Sequence, residues 1–242
     1  MLRAFAIAAA LGAATVAGQP ARGAETLVYD IRAEGFRFGE LSVAYEPGAG
    51  EYSVEVTAAA RGLFGLLTRA RYDGRSSGLL RGGRPVPALF SARSRRIFRS
   101  RVAEVRFLEG VPVAVTMRPE RDRTPMSDPA RVEAPVIDPL SYLGQVTGRP
   151  TASCPPPQAL YDGRRQTGIA FAPAVAAAGG FSCSGSYEIV NGPSHSLQPK
   201  ERRFGLRLTY APLPEGGFRL TRILFLSGGS TVRLDLLPGP GG

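Results

Sequence analysis

The chain has 242 residues, 43% of them hydrophobic and 21% charged, with 30 Lys and Arg against 20 Asp and Glu. That composition excludes a disordered chain, and no apolar run reaches the roughly 18 residues that a membrane-spanning helix needs. One His (His195), one Lys (Lys200), two Cys and no Trp exclude most multi-ligand metal sites and lysine-dependent cofactor chemistry, and leave little acid–base equipment tuned near neutral pH.

The first residues read as an export address. Arg3 supplies a positive start, Ala4 to Val16 form a short Ala-rich apolar stretch, and Ala21-Arg22-Gly23 fits the small-x-small cleavage rule, with Thr15-Val16-Ala17 as a competing site. Residues 1–23 are therefore expected to be a secretory signal peptide, and residues 24–242 a single β-rich domain. No Cys near the cleavage site argues for a lipid anchor, and no apolar tail closes the chain, so a soluble product in an oxidising space is expected.

The body alternates with a period of two. Tyr29, Ile31 and Ala33 form one face, as do Leu41, Val43 and Tyr45, and Tyr52, Val54 and Val56. Ala103, Val105 and Phe107, then Val111, Val113, Val115 and Met117, continue the pattern; Phe204, Leu206, Leu208 and Tyr210, and Val232, Leu234 and Leu236, repeat it near the end. Gly and Pro pairs punctuate these runs at Pro47-Gly48, Gly82-Gly83, Gly216-Gly217 and Gly228-Gly229, and Glu109-Gly110 does the same. Short half-buried runs with such spacing predict about a dozen antiparallel strands, mainly β, curled into an open barrel or spiral sheet because edges must be protected. Tyr72-Asp73-Gly74-Arg75 recurs as Tyr161-Asp162-Gly163-Arg164, and Asp-Gly predicts a hairpin turn at each.

Two helices interrupt the strands. A short one is expected over Gly62 to Leu67. In the other, Asp138 is the N-cap, Pro139 the first helical residue, Leu140, Leu143 and Val146 the apolar face, and Gly148 and Pro150 the stop. This central helix is expected to plug the curled sheet. The Pro-rich, charged stretch from Arg118 to Pro135 reads as an extended loop leading to it.

Cys154 and Cys183 form an even pair in an exported chain and read as a disulfide, pinning the loop before Pro155-Pro156-Pro157 to a strand. Half of a zinc site and a redox pair are the alternatives; the first lacks further ligands and the second lacks the Cys-x-x-Cys spacing. No metal site and no cofactor are expected.

Charge is unevenly spread. Residues 25–60 carry 2 basic and 7 acidic side chains, residues 61–131 carry 16 and 6, and residues 132–242 carry 10 and 7. Arg93, Arg95, Arg99 and Arg101 share one parity, which an extended strand would project to one side. Such a stripe suits phosphate or carboxylate, since guanidinium forks match both. Export argues against nucleic acid as the partner and leaves anionic lipid, lipopolysaccharide or cell-wall polymer; alternatively, carboxylates of the first strands neutralise the stripe across the sheet. No catalytic set is identified: a Ser–His–Asp triad could draw only on His195, in a turn-like segment, and no Gly-x-Ser-x-Gly elbow or phosphate-cradling Gly loop occurs. Carboxylate pairs for an envelope hydrolase or transferase exist, but spacing selects none.

Asp138-Pro139-Leu140-Ser141, then Cys154, then Tyr161-Asp162-Gly163-Arg164-Arg165, then Cys183 and an aromatic strand resemble the bacterial exported family called domain of unknown function 3108. The preceding Arg-rich strand and Pro-rich loop match its order, while Asn191-Gly192-Pro193 stands where the family often has an Ala-Gly turn. The resemblance implies a periplasmic, mostly β protein of a Gram-negative bacterium and assigns no activity. Such curled sheets look like carriers that hold acyl chains on an apolar concave face, an analogy of fold only. The expectation is a non-enzymatic binder of an envelope component, with docking onto another periplasmic protein as a further alternative.

Overall fold

Alternating burial is realised as a single antiparallel sheet. The computed structural model describes residues 25–177, 179–194 and 200–239, without the side chains of Leu63 and Phe64. The expected signal peptide, residues 1–23, and His195 lie outside the described residues. The strands are β1 (Glu25–Ala33), β2 (Phe36–Pro47), β3 (Glu51–Ala60), β4 (Arg71–Arg81), β5 (Arg84–Arg96), β6 (Arg99–Leu108) and β7 (Val111–Arg118) in the first half. The second half holds β8 (Gln158–Tyr161), β9 (Gln166–Phe171), β10 (Val175–Ala177), β11 (Gly180–Asn191), β12 (Arg203–Pro212), β13 (Phe218–Ser227) and β14 (Ser230–Leu236). Helices α1 (Gly62–Thr68) and α2 (Pro139–Thr147) lie between strands.

Strand order runs β7-β6-β5-β4-β3-β2-β1-β14-β13-β12-β11-β9-β8, with β10 on β11. Consecutive hairpins build each half. The pairing of β1 with β14, Tyr29 opposite Leu236 and Ile31 opposite Leu234, joins the two ends of the chain into one sheet.

The sheet is open between β7 and β8, and residues 119–137 seal the gap. Val136 donates its N–H to the carbonyl of Gly110 at 2.9 Å, in the β6–β7 turn. Ile137 pairs in parallel with Leu160 of β8, donating to Ala159 O at 3.1 Å and accepting from Tyr161 N at 2.9 Å. The amide of Gln166 and the backbone of Glu133 exchange two more hydrogen bonds, of 2.9 and 3.2 Å. The stretch expected to be an extended loop is therefore three 3-10 turns, Glu120–Asp122, Pro125–Ser127 and Pro129–Arg131, followed by this bridging segment. On the β8 edge Ala159 O and Tyr161 N find partners in it, and beside β7 the turn carbonyl of Gly110 does, which covers part of the open edges.

Helix α2 fills the curl. Asp138 caps it as expected, its Oδ1 accepting from Leu140 N at 2.9 Å and Ser141 N at 3.0 Å, and Pro139 occupies the first turn. Leu140 packs among Val43, Tyr45, Val54, Phe90, Val105 and Met117 of the first half. Tyr142 and Val146 pack among Leu27, Tyr29, Leu206, Tyr210 and Ile223 of the second half. Leu143 is half-buried rather than buried and touches both clusters. The helix is thus the apolar link between two halves of the interior.

Below the helix, Asp138 is fully buried and its Oδ2 accepts from Ser76 Oγ at 2.7 Å and from Ser141 Oγ. Tyr52 Oη bonds Ser141 Oγ at 2.5 Å. Burial pushes the Asp138 carboxyl up, opposed by the hydroxyls of Ser141 and Ser76 and by two backbone N–H groups.

The two Asp-Gly echoes part ways. Gly163, with φ of +85°, turns β8 into β9 as expected. Asp73-Gly74 instead lies inside β4, with Asp73 opposite Arg93 and Gly74 opposite Ala92. A Cβ at Gly74 would stand 2.7 Å from Leu140 Cδ1. That glycine serves the close approach of α2, so tertiary packing overrides the local turn signal.

Cys154 and Cys183 are bonded, with Cα atoms 5.7 Å apart and no free cysteine among the described residues. Cys183 is buried in β11, and Cys154 lies in the stretch before β8. The pair is a structural crosslink from loop to strand.

Candidate functional site

Two-residue turns decide where the arginines go. The Ile97-Phe98 turn pairs Arg93 with Val102, Ser94 with Arg101, Arg95 with Ser100 and Arg96 with Arg99. Residues opposite one another in an antiparallel pair share a face, so equal parity across such a turn means opposite faces. The expectation of one stripe is therefore corrected. Arg93 and Arg95 lie on the outer face beside Asp73, which is 3.8 Å from Arg95 and opposite Arg93 in register. Arg99 and Arg101 lie on the inner face, joined there by Arg96.

The inner-face arginines border a cavity of about 870 Å³, within the range of small-ligand sites. Arg96, Arg99, Arg101, Arg164 and Arg165 line one side. Ile31, Phe204, Phe225, Val232 and Leu234 line the other, and Tyr187, Ser94, Ser194, Ser227 and Ser230 complete the lining. The apolar wall follows directly from register. Ile31 is opposite Leu234 and Phe225 opposite Val232, so these side chains form one row on the concave face.

Four of the five arginines are positioned by hydrogen bonds or ion pairs. Asp162 accepts from the backbone N–H of both Arg164 and Arg165 at 2.9 Å through Oδ1, an Asx-type turn that Gly163 makes possible with its positive φ. Arg165 is 8% exposed and has its Nε 3.4 Å from Asp162 Oδ2. Arg164 is held from outside the turn: its Nε donates to Asp122 O at 2.9 Å and its carbonyl accepts from Thr124 Oγ1 at 2.8 Å. Burial and the neighbouring Arg101 and Arg165 charges lower the pKa of Arg164.

Asp122, on the sealing segment, is only 4% exposed and takes Arg99 Nη2 at 2.6 Å and Arg101 Nε at 2.8 Å. The hydrogen bond from Arg101, then that from Arg99, hold its carboxyl at about 2 against the upward push of burial. Asp122 thus neutralises part of the cluster, and Asp162 another part. Among the described residues Arg96 has no ion pair, and no carboxylate lines the cavity. Positive charge remains in excess. The first-strand carboxylates that were the alternative partners, Glu40, Glu51 and Glu55, do not neutralise the stripe: Glu40 pairs with Arg37 and Arg61, Glu55 pairs with Arg75, and Glu51 has no ion pair among the described residues.

The sequence-derived residues therefore divide. Arg99 and Arg101 are in the cavity, Arg93 and Arg95 are not, and Asp162 and Gly163 shape its rim. Asp138 and Pro139 build the helix behind it, and Cys154 and Cys183 crosslink the second half. Arg96, Arg164, Arg165 and the apolar wall were not singled out. Arg164 stood in the recurring Tyr-Asp-Gly-Arg motif and Arg165 directly after it, in the motif that carries the family resemblance, and Arg96 would have followed from treating Ile97-Phe98 as a turn.

Fold and site together define a curled antiparallel sheet with a concave, half-cationic and half-apolar cavity. The model of the family described as "Protein of unknown function (DUF3108)" matches residues 28–170, more than half of the chain, and the protein belongs to this family. A solved structure with similarity is that of a β-barrel-like protein of domain of unknown function DUF1849 from Brucella abortus. It covers 88% of this chain and 95% of its own, at 11% identity and a TM-score of 0.43. No curated protein matches.

Proposed function

We propose that this is a periplasmic binding protein, its residues 24–242 forming one domain that holds an amphiphile of the cell envelope. The anionic head of the ligand lies against the arginines and its apolar chain against the opposite wall. The observation that carries the reading is the two-sided cavity: five arginines face five aliphatic and aromatic side chains across about 870 Å³. Guanidinium groups recognise phosphate and carboxylate through paired N–H donors, and apolar chains gain roughly 0.8 kcal/mol for each buried methylene. Neither half alone would need the other beside it. The disulfide supports residence in an oxidising compartment, where lipids and lipopolysaccharide supply such ligands. No cofactor is required for binding of this kind.

Calorimetric titration with dodecyl phosphate and with dodecanol tests the reading. The phosphate is expected to bind at least tenfold more tightly, and Arg96→Gln to weaken it several-fold with the melting temperature unchanged, since Arg96 has no ion pair to lose. Binding of neither compound by the wild type, or equal binding of both, sinks the proposal.

A further inference from the structure

A second feature lies at the same end of the curl, outside the cavity. The β5–β6 turn exposes Phe98 almost completely, at 98%, and Ile97 at 43%; helix α1 exposes Leu66 at 77% and Leu67 at 62%. These belong to one structural tip, because Ile97 N donates to Thr68 O at 3.2 Å. Isolated exposed apolar residues are ordinary, but four on two abutting connections make a protruding apolar point. Its surroundings are basic. Arg69 ends α1 in the left-handed conformation, and Arg69 and Arg96 have no ion pair among the described residues. Arg96 and Arg99 flank Ile97-Phe98 directly and also line the cavity.

We infer that this tip docks the protein onto an anionic lipid bilayer. The aromatic and leucine side chains enter the interfacial layer while the arginines meet the headgroups, an arrangement of apolar point and basic collar that fits a negatively charged lipid surface. A protein partner would favour a broader apolar patch ringed by mixed charge; a point flanked by Arg69 and Arg96, which have no ion pair among the described residues, and by Arg99, which Asp122 holds, complements a uniformly anionic plane. The apolar residues of the tip lie outside the cavity lining, although Arg96 and Arg99 belong to both and docking would bring the mouth of the cavity to the membrane.

The chain has no Trp, so Phe98→Trp installs a single indole fluorophore at the tip. Its emission is expected to shift to the blue with vesicles of phosphatidylcholine and phosphatidylglycerol, and to stay put with phosphatidylcholine alone. Sedimentation with the anionic vesicles should weaken several-fold as salt rises past the point where the Debye length drops below roughly 10 Å. Leu66→Ser combined with Phe98→Ser should lose at least tenfold in vesicle binding while melting like wild type. Three results would each overturn the inference: no binding to anionic vesicles, undiminished binding by the double variant, or bound vesicles with unshifted emission from the Phe98→Trp protein. A fourth is a solution dimer of the wild type that the double variant makes monomeric, which would assign the tip to a second copy. Dodecyl phosphate titrations separate this from the cavity reading, since the double variant should bind that compound as wild type does. Loss of amphiphile binding by the wild type with the blue shift retained would remove the cavity reading and leave the docking tip.

Discussion

At the scale of single residues, the charge that matters most is the buried carboxylate of Asp122, shared by two of the cavity arginines. Asp122 ties Arg99 and Arg101 of β6 to the sealing segment, and its backbone carbonyl also holds Arg164. Its folded pKa of about 2 lies below the ordinary value near 3.9 for an unfolded Asp. A depressed carboxylate adds stability that is complete above the unfolded value and is lost as pH falls from about 4 to about 2. Thermal melts are expected to show a fall in midpoint over that window that is steeper in wild type than in Asp122→Asn. Asp30 and Asp73, also lowered by arginine hydrogen bonds that outweigh burial, act in both proteins and cancel in the comparison. Parallel pH profiles of the two proteins would remove Asp122 from this role.

At the scale of elements, hairpins and one helix carry the argument. The β5–β6 hairpin sorts four arginines of equal parity onto two faces, and the same turn supplies the exposed tip. The sequence pattern made the strands visible, because half-buried antiparallel strands keep a strict period of two. It did not show the sorting, because parity is meaningful only within one strand. Helix α2 was legible through Asp138-Pro139 and its spacing of leucines. What spacing did not reveal is that the cap also serves the sheet: Asp138 accepts from Ser76 of β4 and, with Ser141, sits beneath Tyr52 of β3. Asp138→Ala therefore strands buried hydroxyls as well as helix N–H groups. It is expected to cost about 2–4 kcal/mol in urea unfolding, more than the about 1 kcal/mol typical of a lost cap. A cost within the ordinary cap range would mean that the buried hydroxyls find other acceptors.

At the scale of the whole molecule, three closures hold the curl: the β1–β14 pairing of the chain's two ends, residues 119–137 across the gap between β7 and β8, and the Cys154–Cys183 bond. The disulfide spans a sequence separation of 29. By loop entropy it stabilises the fold by roughly 3–4 kcal/mol. Chemical denaturation of the oxidised protein and of its Cys154→Ala, Cys183→Ala variant measures this, with a difference under about 1 kcal/mol counting against a stabilising role. The cavity depends on long-range closure of the sheet. One wall comes from β1 and β11–β14, the other from the β5–β6 hairpin and the β8–β9 turn, segments that no local interaction would bring together.

By itself the sequence determined what depends on neighbours along the chain. Alternation of side chains set the strands, a capping Asp before Pro set the helix, and Gly-Gly pairs set three of the hairpin turns. Two lone cysteines set the crosslink, and the bracketed motifs set the family. Tertiary structure alone decided which faces turn inward, because that choice belongs to the register between strands and to what packs against them. So Asp73-Gly74 became strand under Leu140 while Asp162-Gly163 became turn. Arg93 and Arg95 went outside while Arg96, Arg99 and Arg101 went in, and an apolar row from the two ends of the chain came to face them. A site made by long-range closure has no local periodicity to announce it, since its residues are neighbours only after the sheet has curled.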